Sequence, residues 1–348
     1  MAKFEVISSD KDDLEADLRE LSKRFNPEVI VKPLSFSTKS QRFVLQAGPD
    51  GDGTVSVGRA TRMVERVGTG AFDDLGEHES IRILSFMGYE VYCHLIIDTL
   101  PILLDLEKNS KESLVLVKQC DLLDRMIKDI GLKFNKVKFI KKTSYVKAKN
   151  VFFHLHQMQH TRTVENVKYL KEKVDKAVGK TKDTDKIIYC TRNSPGRGAK
   201  HGRRMEERCE KRIISILRQF CGENGFEFVY FTGYKKWTKK VKERMSFIEQ
   251  MKLFNSARAV IGPHGGAMVN ILGMQYDGGG KVCEFTSGTK IPCQGKRSLG
   301  FGKNYNKLLA FFPETFLDYY MVPFAEGSTE QECLIEFNHL RKFLEECL

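Results

Sequence analysis

Ala259-Val-Ile-Gly-Pro-His-Gly-Gly-Ala-Met-Val-Asn270 is the stretch on which the reading of this chain turns. A short apolar run stops at Gly262-Pro263, a histidine and a glycine pair follow, and an apolar sequence suited to a helix begins at once. Such a strand-to-helix passage collects main-chain amides at one point. Gly265 and Gly266 lack a Cβ, so an anion can approach the backbone, and the start of the following helix adds partial positive charge. His264 would face the same opening and donate a hydrogen bond to a diphosphate or a sugar hydroxyl. The plain alternative is a tight turn with a histidine that serves packing, because short glycine motifs are common.

Around this turn, strand-like runs at Lys186–Cys190, Glu227–Phe231, Ala259–Gly262 and Lys281–Phe285 alternate with helical patterns over about 206–220, 247–257 and 266–272. That succession predicts a mostly parallel, doubly wound sheet, which takes its ligands at the strand C-termini. Upstream, residues 41–67 alternate apolar and polar across Gly48-Pro-Asp-Gly-Asp-Gly53, the pattern of two strands joined by a turn. Runs at Ile81–Phe86, Ser113–Val117, Val137–Ile140 and Val151–Leu155, with a helical pattern from Val91 to Leu106, predict a first open α/β domain. Val164, Val167, Leu170, Val174 and Val178 recur at helical spacing, and the domain boundary is placed in that amphipathic helix. The expected organisation is an N-terminal α/β domain over 1–160, a linker helix over 161–185, a C-terminal domain over 186–325 and a tail helix over 326–348. Leu334, Phe337, Leu340 and Leu344 give the tail one apolar face, which can pack back across a domain interface.

The length of 348 residues accommodates two such cores, and 41% hydrophobic residues with only 9 prolines exclude a disordered chain. No secretory apolar region follows Met1 and no run of about 18 apolar residues occurs, so a soluble cytoplasmic protein without a transmembrane segment is expected. The 9 cysteines form no Cys-x-x-Cys pair, which fits reduced thiols better than structural zinc. A net charge of +12 is compatible with nucleic acid, an anionic membrane or a nucleotide diphosphate. Lys168, Lys171, Lys173 and Lys176 read as a solvated helix face. By contrast Arg192, Arg197, Lys200, Arg203 and Arg204 cluster in Cys190-Thr-Arg-Asn-Ser-Pro-Gly-Arg-Gly-Ala-Lys-His-Gly-Arg-Arg204, directly after a buried strand. Guanidinium groups there would clamp phosphate oxygens and neutralise a departing nucleoside diphosphate, whereas a solvated basic loop is the structural alternative.

His94 and Asp98 stand four apart in Tyr92-Cys-His-Leu-Ile-Ile-Asp-Thr-Leu-Pro101 and share a face if the segment is helical. A carboxylate behind an imidazole is suited to a general base; a polar pair at a helix edge explains the spacing equally well. Metal ligation is less well supported. Asp50-Gly-Asp52 lies in a turn, Asp183-Thr-Asp185 in a polar linker, and His154, His156 and His160 lack a fourth ligand. Ser246-Phe-Ile-Glu249 is a capping box.

Taken in order, His94-Leu-Ile-Ile-Asp98-Thr-Leu-Pro101, Tyr189-Cys-Thr-Arg192, Arg203-Arg204-Met-Glu206-Glu207, Glu249-Gln250, Gly262-Pro-His264 through Asn270, and Val282-Cys-Glu284 resemble the motifs of glycosyltransferase family 61. Departures are Asn193 where the family repeats arginine, Gly265-Gly266-Ala267 for Gly-Ala-Gly, and Val269 before the asparagine. The resemblance implies two Rossmann-like domains of the GT-B type facing a central cleft and an inverting, metal-independent transfer. The sugar would be xylose, N-acetylglucosamine or similar, moved from a UDP-sugar donor to a hydroxyl of a glycan or glycoprotein acceptor, with no further cofactor. It also implies donor binding by Arg192, Arg197, Arg203, Arg204, His264, Gly265, Gly266, Asn270 and Glu284, the last on the ribose. His94 would be the base and Asp98 its orienter, or the reverse. Two rivals remain at this stage: a nucleic-acid-binding protein, disfavoured because no stacking aromatic interrupts loop 190–204, and an inactive glycan-binding module.

Overall fold

The structure, a computed structural model, describes residues 3–7, 28–34, 42–47, 54–57, 73–86, 92–109, 113–140, 144–156, 164–181, 183–193, 204–238, 242–275, 279–286, 318–325, 328 and 332–348. It is an α/β protein with two compact units, one comprising Met1–Lys128 and Leu132–Asn166, the other Asp129–Gly131 and Val167–Leu348.

The first unit is built on an eight-stranded sheet. Its strands are β1 (Lys3–Ile7), β2 (Glu28–Leu34), β3 (Arg42–Ala47), β4 (Thr54–Val57), β5 (Asp73–Phe86), β6 (Ser113–Lys118), β7 (Val137–Ile140) and β8 (Ser144–His156). The order is β4-β3-β2-β8-β5-β6-β7, with β1 also paired to β8. From β8 to β7 all pairings are parallel, and helices α1 (Leu100–Asn109) and α2 (Asp121–Asp129) form the crossovers from β5 to β6 and from β6 to β7. On the other side β2, β3 and β4 add antiparallel strands, and the hairpin expected across Gly48–Gly53 joins Phe43 to Val57 in register. Ile81, Leu95, Leu100, Leu103, Val115, Val117, Leu123 and Met126 are fully buried in this unit.

The helix expected over Val91–Leu106 is not uniform. A short α-turn at Tyr92–His94 widens into a π-helical turn at Leu95–Thr99 before α1 resumes at Leu100. Pro101 supplies the reason: it has no N–H to give the carbonyl four residues earlier, and its ring crowds that carbonyl, so the backbone opens. Among the described residues the buried Thr99 Oγ1 in this turn is left without a hydrogen-bond partner.

Helix α3 (Val164–Val178) begins in the first unit and continues into the second, where a five-stranded sheet follows. The sheet comprises β9 (Lys186–Cys190), β11 (Glu227–Phe231), β14 (Ala257–Pro263), β15 (Lys281–Thr286) and β16 (Asp318–Pro323), in the order β11-β9-β14-β15-β16. Every neighbouring pair is parallel. Two short ribbons accompany it: β10 (Arg204–Met205) with β17 (Glu332–Cys333), and the hairpin of β12 (Tyr234–Trp237) and β13 (Lys242–Arg244). Side chains alternate across a strand, and Ile187, Tyr189, Ala259, Ile261, Cys283 and Phe285 share one core with Ile213 and Leu217 of α4 (Glu207–Asn224). The tail helix α6 (Phe337–Cys347) follows α5 (Phe247–Asn255) in the chain, and Leu340, Phe343 and Leu344 join that same core. Tyr320 meets Phe343 edge-on at 5.1 Å, and Arg212 lies 4.1 Å over the Phe337 ring. The apolar face of α6 is therefore consumed inside its own unit, where the sequence pattern allowed a crossing to the other. Lys171 departs from the solvated face expected of α3: it is buried and paired with Asp175 one turn on, while Lys168 and Lys176 are exposed.

Glycine is required on β14 for room. A Cβ at Gly262 would lie 2.5 Å from the carbonyl oxygen of Cys190 on β9, a backbone atom that cannot yield. Gly262→Ala is therefore expected to destabilise the fold by about 1–3 kcal/mol, as overpacking does. Gly222→Ala at an exposed position of α4, where nothing lies within 4 Å, should instead stabilise by up to about 1 kcal/mol. Urea unfolding of both variants checks the pair of signs.

Candidate active site

Counting sheet strands by their place in the sequence, the order in the second unit is 2-1-3-4-5, and the reversal falls between β9 and β14. Strands that diverge to opposite sides at such a point leave a crevice beyond their C-terminal ends, the general ligand position of open parallel sheets. Thr191-Arg192-Asn193 leaves β9 there, and His264-Gly265-Gly266 leaves β14. The two segments, some seventy residues apart in sequence, meet at this edge: Arg192 Nη1 donates to the carbonyl oxygen of His264.

β15 completes the arrangement. Gly262 is in register with Glu284, and the His264 amide extends the ladder by donating to Phe285 O at 2.7 Å. Glu284 faces away from the core that holds its neighbours Cys283 and Phe285, and its carboxylate Oε1 lies 2.7 Å from His264 Nδ1. A carboxylate at Nδ1 orients the ring and assigns Nδ1 as donor, leaving Nε2 as the nitrogen turned from Glu284. Glu284, expected on the ribose, bonds the imidazole through Oε1.

Gly265 has a further reason to lack a side chain. Its φ of −179° is ordinary extended backbone. A Cβ there would come within 3.0 Å of Arg192 Nη1 and 3.3 Å of Arg192 Cδ. The missing side chain makes room for the guanidinium. Past Gly265 the helix expected over 266–272 is present as a 3-10 helix, Gly266–Gly273. Glycine at both ends disfavours the α form, and a 3-10 turn still leaves its first amides without partners inside the helix. Asn270 lies on the enclosed side of this helix, wholly buried, and donates to Gln250 Oε1 at 3.0 Å. Gln250 in turn donates to Met245 O at 3.2 Å, so this pair fixes the 3-10 helix against α5.

The rest of the basic loop contributes less that can be described. Arg197 and Arg203 lie outside the described residues, and Arg204 sits on the β10–β17 ribbon in register with Glu332. Glu206 and Glu207 have local duties: Glu206 caps α4 by accepting from the Cys209 amide at 2.6 Å, and Glu207 pairs with Lys211. Glu249 closes the expected capping box with Ser246 and lies 2.5 Å from Lys235 Nζ. Lys235 first, then the Ser246 amide, hold its carboxyl down to about 2, so it stays ionised at any physiological pH.

The family model Glycosyltransferase 61 matches residues 92–279, more than half of the chain. The chain belongs to glycosyltransferase family 61. No curated protein matches it. Its chemistry is accordingly transfer of a sugar from a donor to a glycan acceptor.

In this family 61 transferase the matched segment begins at the Tyr92–His94 turn. His94 closes that turn and Asp98 falls within the π-helical one, while both side chains lie outside the described part. Asp50, Asp52 and His160 are also outside it, as are the side chains of His154 and His156 on β8. Asp185 lies 3.5 Å from the Lys186 ammonium. Among the described residues no helix is long and apolar enough to cross a membrane.

Sequence reading missed Glu210. It occupies the first turn of α4 on the stripe Glu210, Ile213, Leu217, Cys221, all buried. A carboxylate on a core-facing stripe was the available signal. Thr191 Oγ1 donates to its Oε1 at 2.6 Å, Tyr189 OH to the same oxygen at 3.2 Å, and Asn193 Nδ2 to Oε2 at 2.7 Å. Burial, reinforced by Glu210, pushes the Tyr189 hydroxyl well above its ordinary range and keeps it a donor. Burial likewise pushes the thiols of Cys190 and Cys221 up, the latter to about 11, which suits core residues and not nucleophiles.

Proposed function

We propose that this chain is an inverting glycosyltransferase with two Rossmann-like domains, moving xylose, N-acetylglucosamine or a similar sugar from a UDP-sugar to a glycan hydroxyl. The observation that carries the reading is the meeting of Arg192 with the His264–Gly266 turn at the strand-order reversal between β9 and β14. The guanidinium, the imidazole held by Glu284 and the first amides of the 3-10 helix form a donor set for the diphosphate. Asn270 supports that set through Gln250, and Arg197, Arg203 and Arg204, close to Arg192 in the sequence, add positive charge. The acceptor belongs to the N-terminal unit, where His94 takes the proton of the attacking hydroxyl and Asp98 orients the imidazole. A panel of UDP- and GDP-sugars tests the reading: UDP-sugars should bind and hydrolyse slowly, and binding of GDP-sugars alone would refute it.

The arginines take the charge of the leaving diphosphate, so catalysis needs no divalent ion in this mechanism. Activity is expected to survive excess EDTA largely unchanged. Its loss in chelator and return with Mn²⁺ or Mg²⁺ would show that a metal does this work and would redirect attention to Asp50 and Asp52.

A further inference from the structure

We infer that Glu210 is the positioning residue of the donor site, acting through Arg192; this rests on the donor-site reading above. Glu210 is 7% exposed, and three donors converge on its carboxylate from the strand end and loop that carry Arg192. Two of them, Thr191 and Asn193, are the immediate neighbours of Arg192 in the chain. Arg192 stands at a bend between these two anchored neighbours. With Thr191 and Asn193 both turned to Glu210, Arg192 is directed the other way, onto the carbonyl of His264.

The loop has few further places to go. The Thr191 amide donates to Phe231 O at 3.1 Å, the Asn193 amide to Thr191 Oγ1 at 2.9 Å, and Asn193 Nδ2 also reaches Met205 O at 2.7 Å. An acceptor-only group is what three converging donors require. Glutamine in its place would turn an NH₂ toward at least one of them, and the loop would lose the clamp while keeping nearly the same volume. Buried beside Arg192's neighbours, Glu210 reduces the number of orientations open to the guanidinium before a diphosphate arrives.

A double-mutant cycle read by calorimetric titration with UDP tests this. Glu210→Gln should weaken UDP binding about tenfold in the wild-type background, yet change it less than about twofold in the Arg192→Ala background, because the residue it positions is gone. Thr191→Val, which keeps the shape but removes the hydroxyl that donates to Glu210 and accepts from the Asn193 amide, should show the same dependence on Arg192 and serves if the Gln variant does not fold. Equal losses in both backgrounds would mean that Glu210 supports the fold generally and would overturn the inference while leaving the donor site intact. If Arg192→Ala alone leaves UDP affinity unchanged, the donor-site reading falls, and the role of Glu210 with it.

Discussion

His94→Ala is expected to lower kcat by about 10²–10⁴-fold while UDP affinity stays close to that of the unmodified enzyme. Inversion by direct displacement needs one group to take the proton of the acceptor hydroxyl as its oxygen attacks the anomeric carbon. A group that acts only at that moment contributes to the transition state and not to donor binding, so its loss appears in kcat. Asp98→Asn should fall between His94→Ala and wild type if the carboxylate only orients the imidazole. Steady-state kinetics with an acceptor, beside UDP titration, make the comparison. If Asp98→Asn is the more damaging change, the carboxylate is the base and the roles reverse. Near-full turnover in both variants would place the base elsewhere.

The second large effect is on the donor. Arg192→Ala and His264→Ala should each weaken UDP binding tenfold or more, since a hydrogen bond to a charged group contributes about 1.5–3 kcal/mol. The two changes are not independent: Arg192 rests on the His264 carbonyl, and Gly265 supplies the space in which it does so. Their combined loss should be smaller than the product of the single losses. Unchanged UDP affinity in both folded variants would refute the site.

Much of the second unit was legible as local pattern. β9 and β11 occupy the residues expected, β14 and β15 extend beyond theirs by one to three, and the Ser246–Glu249 box caps α5 as written. These elements are short-range: apolar runs, helical spacing and capping chemistry are contained within a few residues. The first unit was harder. β1 and β2 were not anticipated, β5 and β8 are several residues longer than their apolar stretches, and the π-helical turn was read as plain α. In β5 the pairing with β8 recruits polar residues such as Asp73, Glu77 and His78 into the strand, and tertiary hydrogen bonding there overrides weak local propensity.

The sequence by itself determined that this is an α/β chain of family 61 motifs, with a glycine turn after one strand and a basic loop after another. Tertiary structure alone decided that those two strands are neighbours, that Glu284 bonds His264, that Gly265 makes room for Arg192, and that Glu210 binds Thr191 at the end of β9. Hydrophobic period and turn chemistry are written between adjacent residues, whereas strand order follows from how crossover helices pack their apolar faces over distances of twenty to seventy residues. Only once β14 had inserted beside β9 did Gly262 meet the Cys190 carbonyl and the His264 carbonyl meet a guanidinium.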